Sequence, residues 1–165
     1  IQSYSEPLLT LNATIRTHFG EMLHHWVDGV LGHVETPYQD LTDLYSQLKQ
    51  SGFKIYYTNN LRKAKMYLWN RYEKSPDARY GMICSSRDKS LGGYGMKTLS
   101  WPKTLNYGRW YNESQDHADS CCALDLTVTE FDSQGLELDC TLVGWGNDFI
   151  IQNGKWNNDR AKRYN

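Results

Sequence analysis

The chain has 165 residues, a length that suits one domain with a core of its own. Its 18 Lys and Arg residues against 19 Asp and Glu residues leave a net charge of -1, so no strong overall positive field attracts nucleic acid or an acidic membrane. The composition excludes collagen-like, low-complexity and disordered classes, and no apolar run approaches the about 18 residues of a membrane span. Any nucleic-acid partner must therefore be held by a local surface.

Three amphipathic helices are predicted in the first half of the chain. Apolar residues recur at three- and four-residue spacing over 17–31 and 38–48, and these patterns end at Gly32 and Gly52. A third pattern begins after Asn59-Asn60 and closes at Ser75-Pro76. The segments 53–57 and 80–84 are rich in aromatic, β-branched and other apolar residues, which predicts strands between and after these helices.

The second half predicts an irregular insertion followed by two more strands. Residues 86–120 contain most of the Gly-rich, Pro-containing and polar sequence, with Tyr and Trp interleaved. The segments 124–129 and 138–145 then read as strands about a dozen residues apart. Strands that alternate with helices predict an α/β domain with a mainly parallel sheet flanked by helices.

A phosphate-binding loop of the P-loop type is tested first and rejected. The segment 91–98 superficially matches GxxxxGK[ST], but Leu91 and Met96 occupy its two Gly positions. Pro102 would also interrupt the helix whose N-terminus should hold the phosphates. No acidic pair follows an apolar strand to hold magnesium, so the chain by itself is not expected to bind ATP in this manner.

The cysteines and histidines do not predict a metal site. The four cysteines form no CxxC pair, which favours buried, reduced thiols of a cytoplasmic protein over zinc. His18 and His25 lie about two helical turns apart on the first helix, without an HExxH pattern. Polar-face histidines are the simpler interpretation, and no metal ligands are assigned.

The stretch 128–139 is the most informative segment for function. Thr129 closes an apolar strand, Gln134-Gly135 forms a turn, and Glu137 precedes the next strand. In an open parallel sheet ligands bind outside the carboxyl ends of the strands, and this pattern is expected to place polar groups there. An exposed turn with a helpful Gly is the alternative.

A loop that mixes basic and aromatic residues is a second candidate surface. Single strands are held where cations meet phosphates and bases stack on rings. The residues assigned to this surface are Lys97, Trp101, Lys103, Arg109 and Trp110. Closure of these rings over an α/β core is the alternative. The basic residues of the third helix are interpreted as a solvated face, with a nucleic-acid patch as the alternative; they are Arg62, Lys63, Lys65, Arg71 and Lys74.

The segment 129–139 resembles motif V of superfamily one helicases, with the form Thr-x-His-x-x-(Lys or Gln)-Gly-x-Glu-x-Asp before a strand. Phe131 stands where His is common. In that family the Thr and Gly lie near the nucleic-acid backbone, and the Glu approaches the nucleotide or couples the two sites. The resemblance implies nucleic-acid contact for Thr129. It implies a place at the nucleotide for Gln134, Gly135 and Glu137.

The segment 11–17 resembles motif IV of the same helicases, in which an Asn-Tyr-Arg-Ser-like sequence precedes a helix and its Arg meets the γ-phosphate. Asn12 is displaced from the usual position and Ile15 replaces the Tyr. A planar guanidinium binds phosphate oxygens bidentately and stabilises charge during phosphoryl transfer. The resemblance thus implies a catalytic, nucleotide-binding role for Arg16; the alternative is a residue that only starts the helix.

Nearly the full chain resembles the schlafen-like group of bacterial DNA/RNA helicases. The matching segments include 79–86, 97–100, 110–112, 134–137 and 143–146. The resemblance implies a single RecA-like three-layer domain over 1–165, the second motor domain of a helicase. It also implies ATP with Mg bound mainly by an upstream RecA-like domain of the same protein, and DNA or RNA, in single-stranded form, as partner.

The two ends of the sequence predict a piece of a longer protein. Ile1 stands in place of an initiator Met, and 160–165 has the composition of a helix start with no stop signal. In the helicase family motif VI follows just beyond such a segment, so truncation before motif VI is expected. Two rival interpretations remain: a nucleic-acid-binding module without motor activity, and a free-standing α/β ligand-binding enzyme with its pocket at Gln134-Gly135.

Overall fold

A computed structural model describes residues 20–32, 35–97 and 105–162 of the chain. Two compact units are present, with the boundary in the chain between Tyr56 and Tyr57. No helix in these ranges is both long and apolar enough to cross a membrane. Arg16, Trp101 and Lys103 lie outside the described residues, so the roles assigned to them stay predictions. The assignment of a single domain to residues 1–165 also stays a prediction.

The first unit contains two packed helices, α1 (Gly20–Val30) and α2 (Tyr38–Gln50). The rings of Trp26 and Tyr45 lie 5.7 Å apart between the two helices, and Leu48 of α2 is buried. The main-chain angle φ of Gly52 is +96°, in the left-handed region that favours Gly after a helix end. Both predicted helices are therefore confirmed over the described residues, and residues 17–19 of the first predicted helix lie outside them.

The strand predicted over 53–57 is wrong. These residues form no strand, and the side chains of Tyr56 and Tyr57 are 65% and 98% exposed. β-propensity measures how well a side chain packs on a pleated, half-buried surface. Within the described ranges no strand pairs with this segment, so its aromatic composition does not produce a strand.

The second unit follows an α/β order with an irregular insertion. Its helices are α3 (Leu61–Tyr72), α4 (Tyr107–Asn112) and α5 (Asp159–Lys162), and 3₁₀ turns occur at Leu91–Tyr94 and Cys121–Ala123. Its strands are β1 (Tyr80–Cys84), β2 (Thr127–Thr129), β3 (Cys140–Gly144), β4 (Ile150–Gln152) and β5 (Lys155–Asn157). The side chain of Asn60 caps α3 by accepting a 3.0 Å hydrogen bond from the N–H of Lys63, as its sequence position predicts.

Three parallel strands form the main sheet in the order β2-β1-β3. Cys84 pairs with Thr129 at the carboxyl end of β1, and Tyr80 pairs with Cys140 at its amino end. The central strand β1 is the most buried, which explains its continuous apolar sequence. The α/β class with a parallel sheet is confirmed and is compatible with a RecA-like three-layer domain.

Different elements cover the two faces of β1. The ring of Tyr80 stacks on that of Tyr72 in α3, with centroids 5.1 Å apart. Gly81, the next residue, faces the ring of Trp110 in α4. Because successive strand residues point to opposite faces, α3 and α4 lie on opposite sides of the sheet. The core of the second unit therefore lies on both sides of the sheet.

Two strand assignments differ from the sequence pattern. β2 begins at Thr127 rather than at Leu124, because Leu124 has a positive φ of 54° that no regular strand accommodates. A hairpin of β4 and β5 is an additional element. Asn153 and Gly154 turn it with φ of 53° and 75°, the conformation that an Asn-Gly pair favours in a two-residue hairpin.

Candidate nucleotide and nucleic-acid site

The carboxyl edge of the sheet brings together polar residues that follow β1 and β2. The backbone N–H and the hydroxyl of Ser86 each donate to the carboxylate of Glu130, both at 2.7 Å. Ser86 comes two residues after the end of β1, and Glu130 directly follows β2. This pair of hydrogen bonds therefore ties together the two loops that leave the edge.

Thr129 ends β2 and is held by Asp132. Its N–H and hydroxyl donate to one carboxylate oxygen of Asp132 at 2.9 and 2.7 Å, and the hydroxyl of Tyr107 donates to the other at 2.7 Å. Burial raises the pKa of the Asp132 carboxyl, but the hydrogen bonds from Tyr107 and Thr129 outweigh burial and lower the pKa overall. The hydrogen bond to Asp132 also raises the pKa of Tyr107. The side chain of Thr129 is thus oriented by a fixed negative charge.

Asp88 joins the loop after β1 to the loop after β3. Its carboxylate accepts hydrogen bonds from the N–H groups of Ser90, Leu91 and Asn147 at 2.6, 2.9 and 2.6 Å, and from the Ser90 hydroxyl at 2.8 Å. Burial raises the pKa of Asp88, but these donors together lower it. The loops of all three strands are therefore cross-linked at the same edge.

The segment 130–139 crosses from one edge of the sheet to the other. Residues 130–135 form a turn beside Thr129, and Gly135 has φ of +83°. Asp139 then exchanges hydrogen bonds with Arg79, which precedes β1: its N–H donates to the Arg79 carbonyl at 2.7 Å, and its carboxylate accepts from the Arg79 N–H at 2.8 Å. Because β2 and β3 are parallel, the segment must return to the amino edge before β3 begins.

This crossing corrects the predicted location of Glu137. Leu136 and Leu138 pack against the core, so Glu137 between them is turned outward and is exposed. Its backbone carbonyl accepts a 2.8 Å hydrogen bond from the hydroxyl of Tyr111, whereas its carboxylate has no partner in the described ranges. Thr129 lies at the carboxyl edge, whereas Glu137 stands two residues before Asp139, which lies at the amino edge. The five residues of β1 that separate the two edges span roughly 13 Å.

Gln134 and Gly135 form the exposed tip of the crossing segment. The N–H of Gln134 donates to the Phe131 carbonyl at 3.4 Å, and a methyl group at Gly135 would contact nothing within 4 Å. The turn is held by its backbone and leaves the Gln134 side chain exposed. Gln134 and Gly135 therefore lie in the turn that follows Thr129 at the carboxyl edge. Glu137 does not lie at this edge.

The loop predicted to bind single strands is only partly exposed. The side chain of Lys97 is exposed, and its carbonyl accepts a 2.8 Å hydrogen bond from the N–H of Thr127. Arg109 is exposed but forms ion pairs with Glu113 at 3.1 Å and with Asp119 at 3.0 Å. A phosphate would have to replace these carboxylates.

Trp110 does not fit the stacking role predicted for it. Its side chain is 1% exposed and packs in the core of the second unit. Its indole N–H has no hydrogen-bond partner among the described residues. A buried ring offers no free face to a base, so the alternative interpretation, in which the ring closes over the core, describes Trp110.

The described residues do not by themselves build a site for magnesium. No group of three or more His, Cys, Asp or Glu residues in these ranges could hold a metal ion. Asp88, Glu130 and Asp132 already accept two to four hydrogen bonds each from neighbouring loops. The carboxylates of the edge therefore position loops and do not present an array of metal ligands.

One family model, described as the Schlafen group 3 DNA/RNA helicase domain, matches residues 1–165. The chain belongs to this family. No curated protein and no solved structure matches the chain. Membership of the Schlafen group 3 helicase domain family confirms the schlafen-like resemblance and the helicase-type class of the domain.

Several residues at the carboxyl edge of the sheet in this Schlafen group 3 domain are not predicted from the sequence. They are Ser86, Asp88, Tyr107, Glu130 and Asp132. Glu130 and Asp132 stand one and three residues after Thr129. Because Asp side chains in turns commonly hydrogen-bond nearby backbone groups, the sequence carries a local signal for Asp132. Tyr107 and Asp88 come from distant loops and carry no such signal.

Proposed function

We propose that this chain is the second motor domain of an ATP-dependent DNA/RNA helicase or translocase. The observation that carries the proposal is the family match over residues 1–165. It is supported by a parallel sheet whose carboxyl edge collects the polar loops of three strands, the place where ligands of such sheets bind. In the proposal, this edge takes part in a cleft completed by an upstream RecA-like domain of the same protein.

ATP with Mg is held mainly by that upstream domain in this proposal. The sequence has no P-loop, and the edge carboxylates are engaged in hydrogen bonds within the chain. The chain's own contribution is positive charge and positioning: Arg16 meets the γ-phosphate, where a guanidinium stabilises charge in phosphoryl transfer. Gln134 and Gly135 face the nucleotide from the exposed tip of the crossing segment, and Glu137 couples the two sites from farther along that segment.

Single-stranded DNA or RNA contacts the other side of the same segment. Thr129 is the central residue, because Asp132 fixes the orientation of its hydroxyl at the end of β2. Lys97, Trp101, Lys103 and Arg109 are the proposed flanking contacts. The segment from Thr129 to Glu137 reaches from one edge of the sheet toward the other. A ligand bound at one site can therefore change the affinity of the other site. Coupling of this kind is typically about 1 to 3 kcal/mol.

ATPase activity of the full-length protein, measured with and without a saturating single-stranded oligonucleotide, tests the proposal. Thr129→Ala and Glu137→Gln are each expected to reduce stimulation by the oligonucleotide roughly 5-fold to 100-fold, in line with the coupling free energy. Glu35→Gln, which changes another exposed glutamate, serves as the matched control. Unchanged stimulation in both variants would remove the motif V roles.

The 165-residue chain alone is expected to show no appreciable ATPase activity, because it lacks a phosphate-cradling loop. Turnover by the purified chain that survives removal of contaminating ATPases would contradict the two-domain site. It would instead favour a complete enzyme within this chain.

A further inference from the structure

Helix α3 and the residues just after it carry a local excess of positive charge. The segment 61–74 has one acidic residue, Glu73, in a chain whose net charge is -1. Its basic residues are Arg62, Lys63, Lys65, Arg71 and Lys74. None of the helicase motifs uses this segment.

The basic residues face outward because the opposite side of α3 packs on the sheet. Leu68 is 3% exposed and belongs to the core, and Leu61 and Tyr72 pack beside it. At 100° per residue, Arg62 and Lys63 fall more than a quarter turn away from Leu68 on the helix surface, and Lys74 follows in the turn two residues after α3 ends. All three side chains are exposed. The three residues form a basic face of α3.

The charges of this basic face are not compensated within the described ranges. Arg62, Lys63 and Lys74 form no ion pair there, and no Asp or Glu stands three or four positions from Arg62 or Lys63. Arg109, by contrast, is held by two carboxylates. The basic face therefore offers phosphates more available positive charge than Arg109 does.

The charges also oppose the stability of the helix. Arg62 and Lys63 stand in the first turn of α3, where unpaired N–H groups concentrate positive partial charge, so a cation there is unfavourable. Helix α2 shows the stabilising arrangement, with Asp40 in its first turn and Lys49 in its last. Departures from such local rules occur at functional sites, where binding outweighs stability.

Exposed aromatic side chains accompany the basic face. Tyr67 is 38% exposed and lies one helical turn after Lys63, and Tyr57, four residues before α3, is 98% exposed. Cations that track a backbone, together with rings on which bases stack, are the features that hold single strands. We propose that the basic face of α3 is a second nucleic-acid surface, which binds the phosphate backbone of single-stranded DNA or RNA outside the motif V segment. This inference rests on the proposed function for the identity of the polymer.

Salt-dependent binding of a labelled oligothymidylate by the full-length protein, without nucleotide, tests the surface. The variant Arg62→Gln/Lys63→Gln/Lys74→Gln should bind at least 10-fold more weakly at low salt. The slope of log affinity against log salt should fall by about 0.7 for each lost phosphate contact, or about 2 in total. Loss of folding does not mimic this result, because removal of cations from the first turn favours α3.

The matched control removes the same net charge at exposed positions elsewhere, as Lys49→Gln/Lys155→Gln/Arg160→Gln. It should leave the slope unchanged. An equal loss of slope in both triple variants, or no loss in either, would show that the basic face is only a solvated surface. Binding of polyglutamate with the same affinity and slope as the oligonucleotide would overturn the choice of nucleic acid in favour of an acidic protein partner.

The two proposals fail in different measurements. If the triple variant of α3 binds normally while Glu137→Gln loses ATPase stimulation, the second surface is wrong and the motor function stands. If the triple variant loses slope while Thr129→Ala and Glu137→Gln keep full stimulation, the surface stands and the motif V roles are wrong.

Discussion

The indole ring of Trp110 lies directly over Gly81, the second residue of the central strand. A methyl group at Gly81 would meet two carbons of the ring at 3.0 Å and the side chain of Cys121 at 3.4 Å. Gly81 is therefore needed for the close approach of α4 to the sheet rather than for its main-chain angles. This contact explains why a tryptophan within an aromatic and basic loop belongs to the core.

Gly81→Ala is expected to destabilise the chain by about 1 to 3 kcal/mol, because an added methyl group overpacks the contact with Trp110. The loss is measured as a lower urea midpoint of unfolding, while the dependence of the unfolding free energy on urea concentration stays unchanged. Gly93→Ala provides a comparison in the same unit, since a methyl group there would meet nothing within 4 Å. A stability equal to wild type would show that α4 does not pack on β1 as described.

Trp110→Phe is expected to leave affinity for a single-stranded oligonucleotide unchanged, because a ring that is 1% exposed cannot stack with a base. The variant also removes the indole N–H that has no described partner, which offsets part of the lost packing. Fluorescence anisotropy with a labelled oligonucleotide measures the affinity. A loss of roughly 1 to 3 kcal/mol in binding, the size of one stacked base, would restore Trp110 as a stacking residue.

Asp132→Asn is expected to lower stability at neutral pH by about 1 kcal/mol, because the hydrogen bonds from Thr129 and Tyr107 lose their charged acceptor. The pKa of Asp132 in the folded chain lies below its ordinary value of 3.8. Its contribution is thus complete above pH 3.8 and disappears as the pH falls through the lower, folded value.

Urea denaturation of wild type and Asp132→Asn from neutral to acidic pH checks this linkage. The difference in stability between the two proteins should shrink as the pH falls below 3.8. Asp125→Asn, at an exposed position, is the control. A constant difference across the whole pH range would mean that the charge of Asp132 does not stabilise the edge.

Gly135→Ala is expected to cost about 1 kcal/mol, because φ of +83° strains any residue with a Cβ atom. Open space surrounds the position, so the cost is conformational and not steric. Gly92→Ala is the matched control, since Gly92 also has open space but no positive φ. Equal stability changes in the two variants would contradict the turn conformation at Gly135.

Arg16→Ala in the full-length protein is expected to slow ATP hydrolysis by roughly 10³-fold or more, the effect of losing an arginine that stabilises transferred phosphate. Nucleotide affinity should change less, because the upstream domain holds most of the nucleotide in the proposed site. Single-turnover hydrolysis and equilibrium nucleotide binding separate the two effects. Wild-type turnover would show that Arg16 does not act on the transferred phosphate.

The sequence by itself determines the elements whose signals are local. Asn60 starts α3, the apolar run from Tyr80 to Cys84 is the central strand, and the helical spacing over 38–48 becomes α2. These predictions succeed because side-chain capping and hydrophobic periodicity depend on residues within a few positions of each other. The schlafen-like resemblance likewise rests on linear patterns such as Gln134-Gly-Leu-Glu137.

Only the tertiary structure decides which residues share an edge or a face. Because β2 and β3 both run parallel to β1, the segment 130–139 that joins them must cross the sheet from one edge to the other. This crossing separates Glu137 from Thr129. Glu113 and Asp119 neutralise Arg109, and the close approach at Gly81 buries Trp110. Arg62 and Lys63 of α3, by contrast, stay exposed without ion-pair partners in the described ranges. Strand order, strand direction and burial arise from contacts between residues far apart in the chain, and local composition does not encode those contacts.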